Sequence, residues 1–216
     1  MTVLELGSEG SRVFVVPVIK GLKSETEKVM KAFEQVRPDK IAISISKEEL
    51  DGLRNIPEDY SPELSRYEYI YARQLGRYGS VASPPPCYVA ALEISNHFQV
   101  PIVPIDLDES DYTDLYCASV SGTDLFRHST RTWWLKRKRF RASSADQFVR
   151  EWDKVVNRIQ GFATLERKRT EAMTNGILAE LRSSKRLLVV IELERSEDVV
   201  KSLERELADH AKVKKS

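Results

Sequence analysis

The sequence predicts an α/β fold in which a mixed or parallel sheet of about four or more strands is covered by helices. Two observations support this prediction. Four short runs rich in valine and isoleucine are apolar at nearly every position, as expected for strands that are buried on both faces. Segments with apolar residues at helical spacing lie between these runs, and the longer ones fall in the second half of the chain.

Each predicted strand is a continuous apolar run rather than an alternating one, so both of its faces are expected to be covered. The four strands are Arg12–Val18 (RVFVVPV), Lys40–Ile45 (KIAISI), Pro101–Asp106 (PIVPID) and Arg186–Leu193 (RLLVVIEL).

The first predicted helix begins at Ser24, because Glu27 three residues later completes a capping-box pattern. It ends before Pro38, since a proline disfavours helix in the residue ahead of it. The other predicted helices are Ser61–Tyr78, Pro86–Phe98, Ala145–Ile159, Thr164–Leu181 and Ser196–His210. The polar segment Asp108–Thr130 shows no apolar stripe and is predicted to be a long surface loop.

The 216 residues are enough for a single domain over 1–216, with a helical insertion or extension at about 124–183. A net charge of +1 provides no global attraction to nucleic acid or to an anionic membrane. Two cysteines without a C-x-x-C motif indicate a reducing compartment. Neither a signal-peptide pattern nor a membrane-spanning apolar run is present in the sequence, so we expect a soluble, cytoplasmic protein.

Three blocks of the sequence carry a family resemblance. They are Pro17–Ile45 (PVIKGLKSETEKVMKAFEQVRPDKIAISI), Pro84–Asp108 (PPPCYVAALEISNHFQVPIVPIDLD) and Glu166–Leu193 (ERKRTEAMTNGILAELRSSKRLLVVIEL). In order and spacing they resemble the TraB/PrgY-like family, within the superfamily that also holds Tiki-, EreA- and ChaN-like proteins. The family pattern is G-T-x-H, a helix, R-P-D and a V-A-V-E-L strand, followed by an I-D-R-D strand and by E-R-D-x-x-M before G-A-G-H. The resemblance implies a single TraB-like α/β domain.

The resemblance also implies where the metal and catalytic residues would lie. The positions of the two histidines and two glutamates fall here on Lys20, Ser44, Cys87 and Arg195. Lysine and arginine carry donors and no lone pair at neutral pH, so they repel a divalent metal instead of holding it. We therefore expect a pseudoenzyme that holds no cofactor. Lys20 is expected to pair with Asp106 or Glu192 inside the former site.

An alternative from another class is a metal-dependent hydrolase or peptidase-like enzyme with a rearranged site. Its candidate residues are Asp106, Asp108, Glu192, Glu194 and Cys87. Among the positions that match the family's site, only Asp106 and Asp108 keep their acidic type, which makes them weak candidates for a metal site.

The segment Arg127–Arg141 (RHSTRTWWLKRKRFR) interleaves cations with aromatic rings. Its candidate binding residues are Arg131, Trp133, Trp134, Lys136, Arg137, Lys138 and Arg139. The pattern suits three arrangements: a helix with solvated cations, a surface for an acidic protein partner, or a binder of nucleic acid or an anionic membrane surface. The near-zero net charge disfavours the last. We expect a degenerate domain that acts as a protein-binding or regulatory module, and a homodimer is compatible with it.

Overall fold

The computed structural model describes residues 3–8, 10–57, 60–138 and 140–213. Within these residues it is a mixed α/β fold of five strands and nine helices, about 59% helical, with long helices in the second half. The predicted fold class is therefore confirmed. The strands are β1 (Leu4–Ser8), β2 (Ser11–Val18), β3 (Lys40–Ile43), β4 (Ile102–Pro104) and β5 (Arg186–Glu192). The helices are α1 (Glu25–Val36), α2 (Lys47–Arg54), α3 (Arg66–Leu75), α4 (Pro86–Phe98), α5 (Glu109–Ser119), α6 (Gly122–Leu135), α7 (Ala145–Val156), α8 (Gln160–Leu181) and α9 (Leu193–Val213).

The strand order across the sheet is β1-β2-β5-β3-β4. β1 runs antiparallel to β2, while β2, β5, β3 and β4 are mutually parallel. β5 therefore lies between β2 and β3, although it follows them by well over a hundred residues. The four parallel strands all point their carboxyl ends to the same edge, which is where ligand sites of open α/β sheets usually lie.

Helices cover both faces of the sheet, which explains why the predicted strands are apolar throughout. On one face, α1 and α4 pack over alternate residues of the strands, such as Val16, Ile43 and Val190. On the other face, α8 and α9 pack over the intervening residues, such as Val15 and Val189.

A third apolar cluster lies beyond the carboxyl ends of β2 and β5. Ile19 and Leu193, which follow those two strands, pack there against Leu75 of α3, Leu135 of α6 and Phe148 of α7. These three helices therefore form a cap over part of the carboxyl edge, and the cap brings the helical second half of the chain next to the strand ends.

The predicted helix starts and strand ends agree with the observed ones to within a few residues, except that α3 begins at Arg66 instead of Ser61. Two further predictions are wrong. Ser24 has helical backbone angles and makes no side-chain cap, so the predicted capping box of α1 is wrong. The predicted surface loop Asp108–Thr130 is also wrong, because it contains α5 and most of α6. α5 has no buried residue and hence no apolar stripe. Its start is instead marked by Asp108, whose Oδ1 accepts a hydrogen bond from the backbone N–H of Asp111 at 2.8 Å.

Two further elements were not predicted. β1 pairs antiparallel with β2, with Leu4 opposite Val15. α2 begins with a complete capping box between Ser46 and Glu49, a signal that the sequence does contain. None of the helices in the described ranges is both long enough and apolar enough to cross a membrane.

Candidate functional site

The carboxyl edge of the parallel strands collects a chain of polar side chains. Ser44 follows β3, Asp106 comes two residues after β4, and Glu192 ends β5. Each of these positions is at the same sheet edge because the strands are parallel. Ser44 and Glu192 are almost completely buried, at 1% and 2% exposure.

Ser44 sits at the centre of a buried hydrogen-bond chain. Its Oγ donates to Glu192 Oε2 at 2.6 Å, so the Tyr88 hydroxyl, 2.9 Å away, donates to Ser44 Oγ. The backbone N–H of Glu192 also donates to Ser44 Oγ, at 3.3 Å. The hydroxyl of Ser44 is thus fully engaged inside the protein, where it is held by a carboxylate instead of a histidine base.

Two arginines and three carboxylates continue the chain. Arg195 lies between two of the carboxylates: its Nη1 is 3.2 Å from Glu192 Oε1, and its Nε and Nη2 donate to both oxygens of Glu166 at 2.8 and 3.1 Å. Arg169 in turn donates to Glu166 Oε1 at 3.1 Å and pairs closely with Asp106. We call Asp106, Arg169, Glu166, Arg195 and Glu192 the strand-end network.

Opposite charges in the strand-end network stabilise one another's ionised forms. Burial opposes the ionisation of Glu192, but the charges of Arg195, Lys20 and Arg169 outweigh it and lower its pKa to about 2. Burial likewise opposes the charge of Glu166, and the two arginines hold its pKa below the usual range. Burial disfavours the charged form of Arg195 as well, yet the surrounding carboxylates raise its pKa.

Two further acids near the network are compensated only in part. Burial is the main cause that raises the pKa of Glu194 to about 7; the charge of Arg195 opposes this rise, and the neighbouring charge of Glu192 adds to it. Burial, reinforced by the charge of Glu166, raises the pKa of Asp153 to about 6. The network already has one more carboxylate than guanidinium groups, so additional negative charge here is unfavourable.

The structure brings only part of the predicted site together. Ser44 and Arg195 both contact Glu192, Ser44 through a hydrogen bond and Arg195 through an ion pair. Lys20 is not: its Nζ lies 3.7 Å from Glu49 Oε1, and its side chain is 42% exposed. The expected pairing of Lys20 with Asp106 or Glu192 is therefore wrong, because arginines from α8 and α9 take both carboxylates.

Cys87 is enclosed in the core, and Asp106 and Asp108 are engaged in contacts within the fold. Cys87 is completely buried, and burial raises the pKa of its thiol to about 12, which keeps it protonated at neutral pH. Asp106 is paired with Arg169, and Asp108 caps α5. Among the described residues, no group of three histidine, cysteine or acidic side chains is arranged to hold a metal ion.

A small cavity of about 240 Å³ opens beside the network at the carboxyl edge. Its other walls are largely apolar, and its polar side chains are those of Lys20, Glu49, Tyr60, Ser83 and Tyr88. Tyr88 is shared with the buried chain, but its hydroxyl already contacts Ser44.

The basic segment separates into buried and exposed parts. Arg131 is half-buried, and its Nη1 donates to the carbonyl oxygen of Val155 at 3.0 Å, so it connects α6 to α7. Trp133 and Trp134 are 53% and 47% exposed. Arg139 lies outside the described residues.

Cations cover the two exposed tryptophans. The guanidinium of Arg137 lies 4.0 Å from the ring centroid of Trp133, and Lys138 Nζ lies 4.9 Å from that of Trp134. Together with Lys136, these side chains form what we call the basic-aromatic surface.

Next to this surface, the outer face of α3 forms a second cationic feature that sequence reasoning missed. A cavity of about 150 Å³ is lined by Arg66, Tyr69, Ile70, Arg73, Gln74, Arg77 and Lys136. We call it the α3 cavity. Among the described residues, none of its four cations takes part in an ion pair within 4.0 Å.

Sequence reasoning also missed Glu166 and Arg169, although a signal was present. The two residues are three apart on α8, so they share a helix face. The α3 arginines had the same kind of signal, because residues 66, 73 and 77 recur at helical spacing.

Comparison with known proteins does not assign the chain to a family. A scan against models of protein families finds no match, and a search of curated proteins finds no significant match.

Proposed function

We propose that this chain is a divergent TraB/PrgY-like domain that has lost catalysis and acts as a protein-binding or regulatory module. The observation that carries the proposal is the position of Arg195 between Glu192 and Glu166. The guanidinium of Arg195 pairs with both of these carboxylates, which would otherwise be the groups to bind a metal ion or to act as a general base. The same polar residues now stabilise the packing of α8 and α9 on the strand ends.

The basic-aromatic surface is the proposed contact region, and an acidic protein segment is its proposed partner. Arginine and tryptophan are enriched in protein interfaces, where large rings anchor and guanidiniums pair with carboxylates. Arg137 and Lys138 each occupy one face of a tryptophan ring, which reduces the area open to a stacking nucleic-acid base. A net charge of +1 further favours a local protein contact over a long polyanion.

Titration of the full chain with a short glutamate-rich peptide tests the proposal. Trp133 and Trp134 are exposed while Trp152 is 4% exposed, so a bound peptide should shift the tryptophan emission to shorter wavelength. We expect salt-sensitive binding, because the interaction is between exposed charges.

Matched variants sharpen this titration. Arg137→Gln/Lys138→Gln should abolish the emission shift, and Arg167→Gln/Lys168→Gln, with the same change in charge on α8, should keep it. A response to a single-stranded oligonucleotide or to anionic vesicles, with none to the peptide, would overturn the choice of partner. Stoichiometric retention of Mn, Co or Zn after reconstitution and desalting would favour the hydrolase alternative.

A further inference from the structure

The α3 cavity gathers positive charge from two different helices without using it inside the fold. Arg66, Arg73 and Arg77 come from α3 and the turn after it, and Lys136 comes from the end of α6. All four side chains are exposed, and no carboxylate residue is among the residues that line the cavity. Repulsion between cations that share one compact space disfavours this arrangement when the cavity is empty.

Helix electrostatics account for only part of this charge. Arg73 and Arg77 lie at the carboxyl end of α3, where a cation is favourable. Arg66, however, is the first residue of the same helix, where the positive end of the helix dipole disfavours a cation. Lys136 lies at the carboxyl end of α6, where a cation is also favourable. A ligand that brings negative charge would offset the unfavourable placement of Arg66 and the repulsion among the four cations.

The buried wall of the cavity has an unused acceptor. Gln74 is 7% exposed, and its Nε2 donates to the carbonyl oxygen of Lys138 at 3.2 Å, which fixes the orientation of the amide. Its Oε1 is buried and has no hydrogen-bond partner. An unsatisfied buried acceptor is unfavourable, so a state in which a donor reaches it is preferred. Guanidinium groups carry five N–H donors each, and an anion that draws them inward leaves one to donate to this oxygen.

We propose that the α3 cavity is a binding site for a phosphomonoester. At neutral pH such a group carries a charge of about −1.5 to −2 and three acceptor oxygens, which suits several cations that approach from different sides. A carboxylate, with one charge and two oxygens in a plane, is satisfied by a single guanidinium. The cavity volume of about 150 Å³ accommodates a compact group and not an extended chain.

The identity of the carrier rests on the proposed function. If the domain binds an acidic protein segment at the basic-aromatic surface, Lys136 connects that surface to the α3 cavity, and the phosphate belongs to a phosphorylated residue of the same segment. A small sugar phosphate presents the same chemistry to the cavity without any protein partner.

Calorimetric titration of the full chain distinguishes these sources. The probes are a short acidic peptide with one phosphoserine, the same peptide with serine or with glutamate at that position, a hexose phosphate and inorganic phosphate. We expect the phosphoserine peptide to bind at least about 10-fold tighter than the serine and glutamate peptides, which corresponds to about 1.4 kcal/mol. Equal or tighter binding of the hexose phosphate supports the site and assigns it to a small molecule.

Variants locate the binding. Arg73→Gln/Arg77→Gln should weaken every phosphate-bearing probe by at least about 10-fold, since each charged hydrogen bond contributes more than a neutral one. The control Arg167→Gln/Lys168→Gln on α8 should bind like the parent chain. The proposal is overturned if no phosphate-bearing probe binds, if the glutamate peptide binds as tightly as the phosphoserine peptide, or if the α3 variant binds unchanged.

Failure of this inference and failure of the proposed function give different results. If the serine peptide binds and loses affinity in Arg137→Gln/Lys138→Gln while phosphate adds nothing, only the phosphomonoester site is rejected. If the phosphate probes bind and depend on Arg73 and Arg77 while the serine and glutamate peptides do not bind, only the acidic-segment partner is rejected.

Discussion

The strand-end network and the α3 cavity both collect arginines, but they use the charge in opposite ways. In the network, Arg169 and Arg195 are largely buried, and three carboxylates lie within ion-pair distance of them. In the α3 cavity, Arg66, Arg73 and Arg77 are exposed and have no carboxylate beside them among the lining residues. Charge that is satisfied internally holds elements together, whereas charge left open is available to a ligand. Three predictions on stability test this comparison, from the largest expected effect to the smallest.

Arg195→Met should produce the largest loss of stability. It leaves Glu192 and Glu166 buried with less positive charge, and removal of one partner from a buried network typically costs about 3–5 kcal/mol. Urea unfolding monitored by circular dichroism measures the change. The control Arg167→Met removes an exposed arginine paired with Glu171 and should cost less than about 1 kcal/mol. Similar losses in the two variants would mean that Arg195 is not structural.

Glu194→Gln should stabilise the protein at pH 8, by an amount on the order of 1–2 kcal/mol. Burial raises the folded-state pKa of Glu194 to about 7, above its ordinary value of 4.5. The folded state therefore binds more protons between these values, and the free energy of unfolding falls as the pH rises through that window. Glutamine imitates the protonated form, so the gain should shrink as the pH approaches 5.

Unfolding midpoints measured from pH 5 to pH 8 check this dependence on Glu194. The control Glu171→Gln replaces an exposed acid whose pKa is lowered by Lys168, and it should give no gain at pH 8. A constant difference between Glu194→Gln and the parent chain across the range would show that Glu194 does not titrate there. Below this range, Glu192 acts in the opposite direction: its lowered pKa contributes stability that is lost as the pH falls from about 4.5 towards 2.

Arg73→Gln/Arg77→Gln should have the smallest effect on stability, within about 0.5 kcal/mol of the parent chain. Both arginines are exposed and line the α3 cavity without a carboxylate partner there, so their removal breaks no internal pairing. Thermal and urea unfolding of the double variant measures the change. A loss as large as that of Arg195→Met would place these arginines in the fold and remove the contrast between the two regions.

The sheet was predictable because its signal is local. Strands buried on both faces must be apolar throughout, and Arg12–Val18 and Arg186–Leu193 show this in composition alone. Helix α5 was missed for the converse reason: none of its residues is buried, so no apolar stripe records it. The capping residues Asp108 and Ser121 were the available signals for α5 and α6.

The strand-end network was only half predictable. The end of β5 placed Glu192 and Arg195 near the carboxyl edge, but the pairing of Arg169 with Asp106 joins residues 63 apart in the chain. Sequence spacing does not show that Asp106 pairs with Arg169 instead of Lys20, because the pairing depends on how α8 crosses the sheet. Of the four family-matched positions, Ser44 and Arg195 contact Glu192, whereas Lys20 pairs with Glu49 and Cys87 is buried apart from these contacts.

The central position of β5 has a consequence for how the chain folds. β2 and β3 do not pair with each other; each pairs with β5, so that Arg12 faces Arg186 and Lys40 faces Leu187. Such non-local pairing closes long loops and slows folding. During synthesis, β2 and β3 each keep one unpaired edge until residues 186–192 have left the ribosome, and unpaired strand edges favour aggregation.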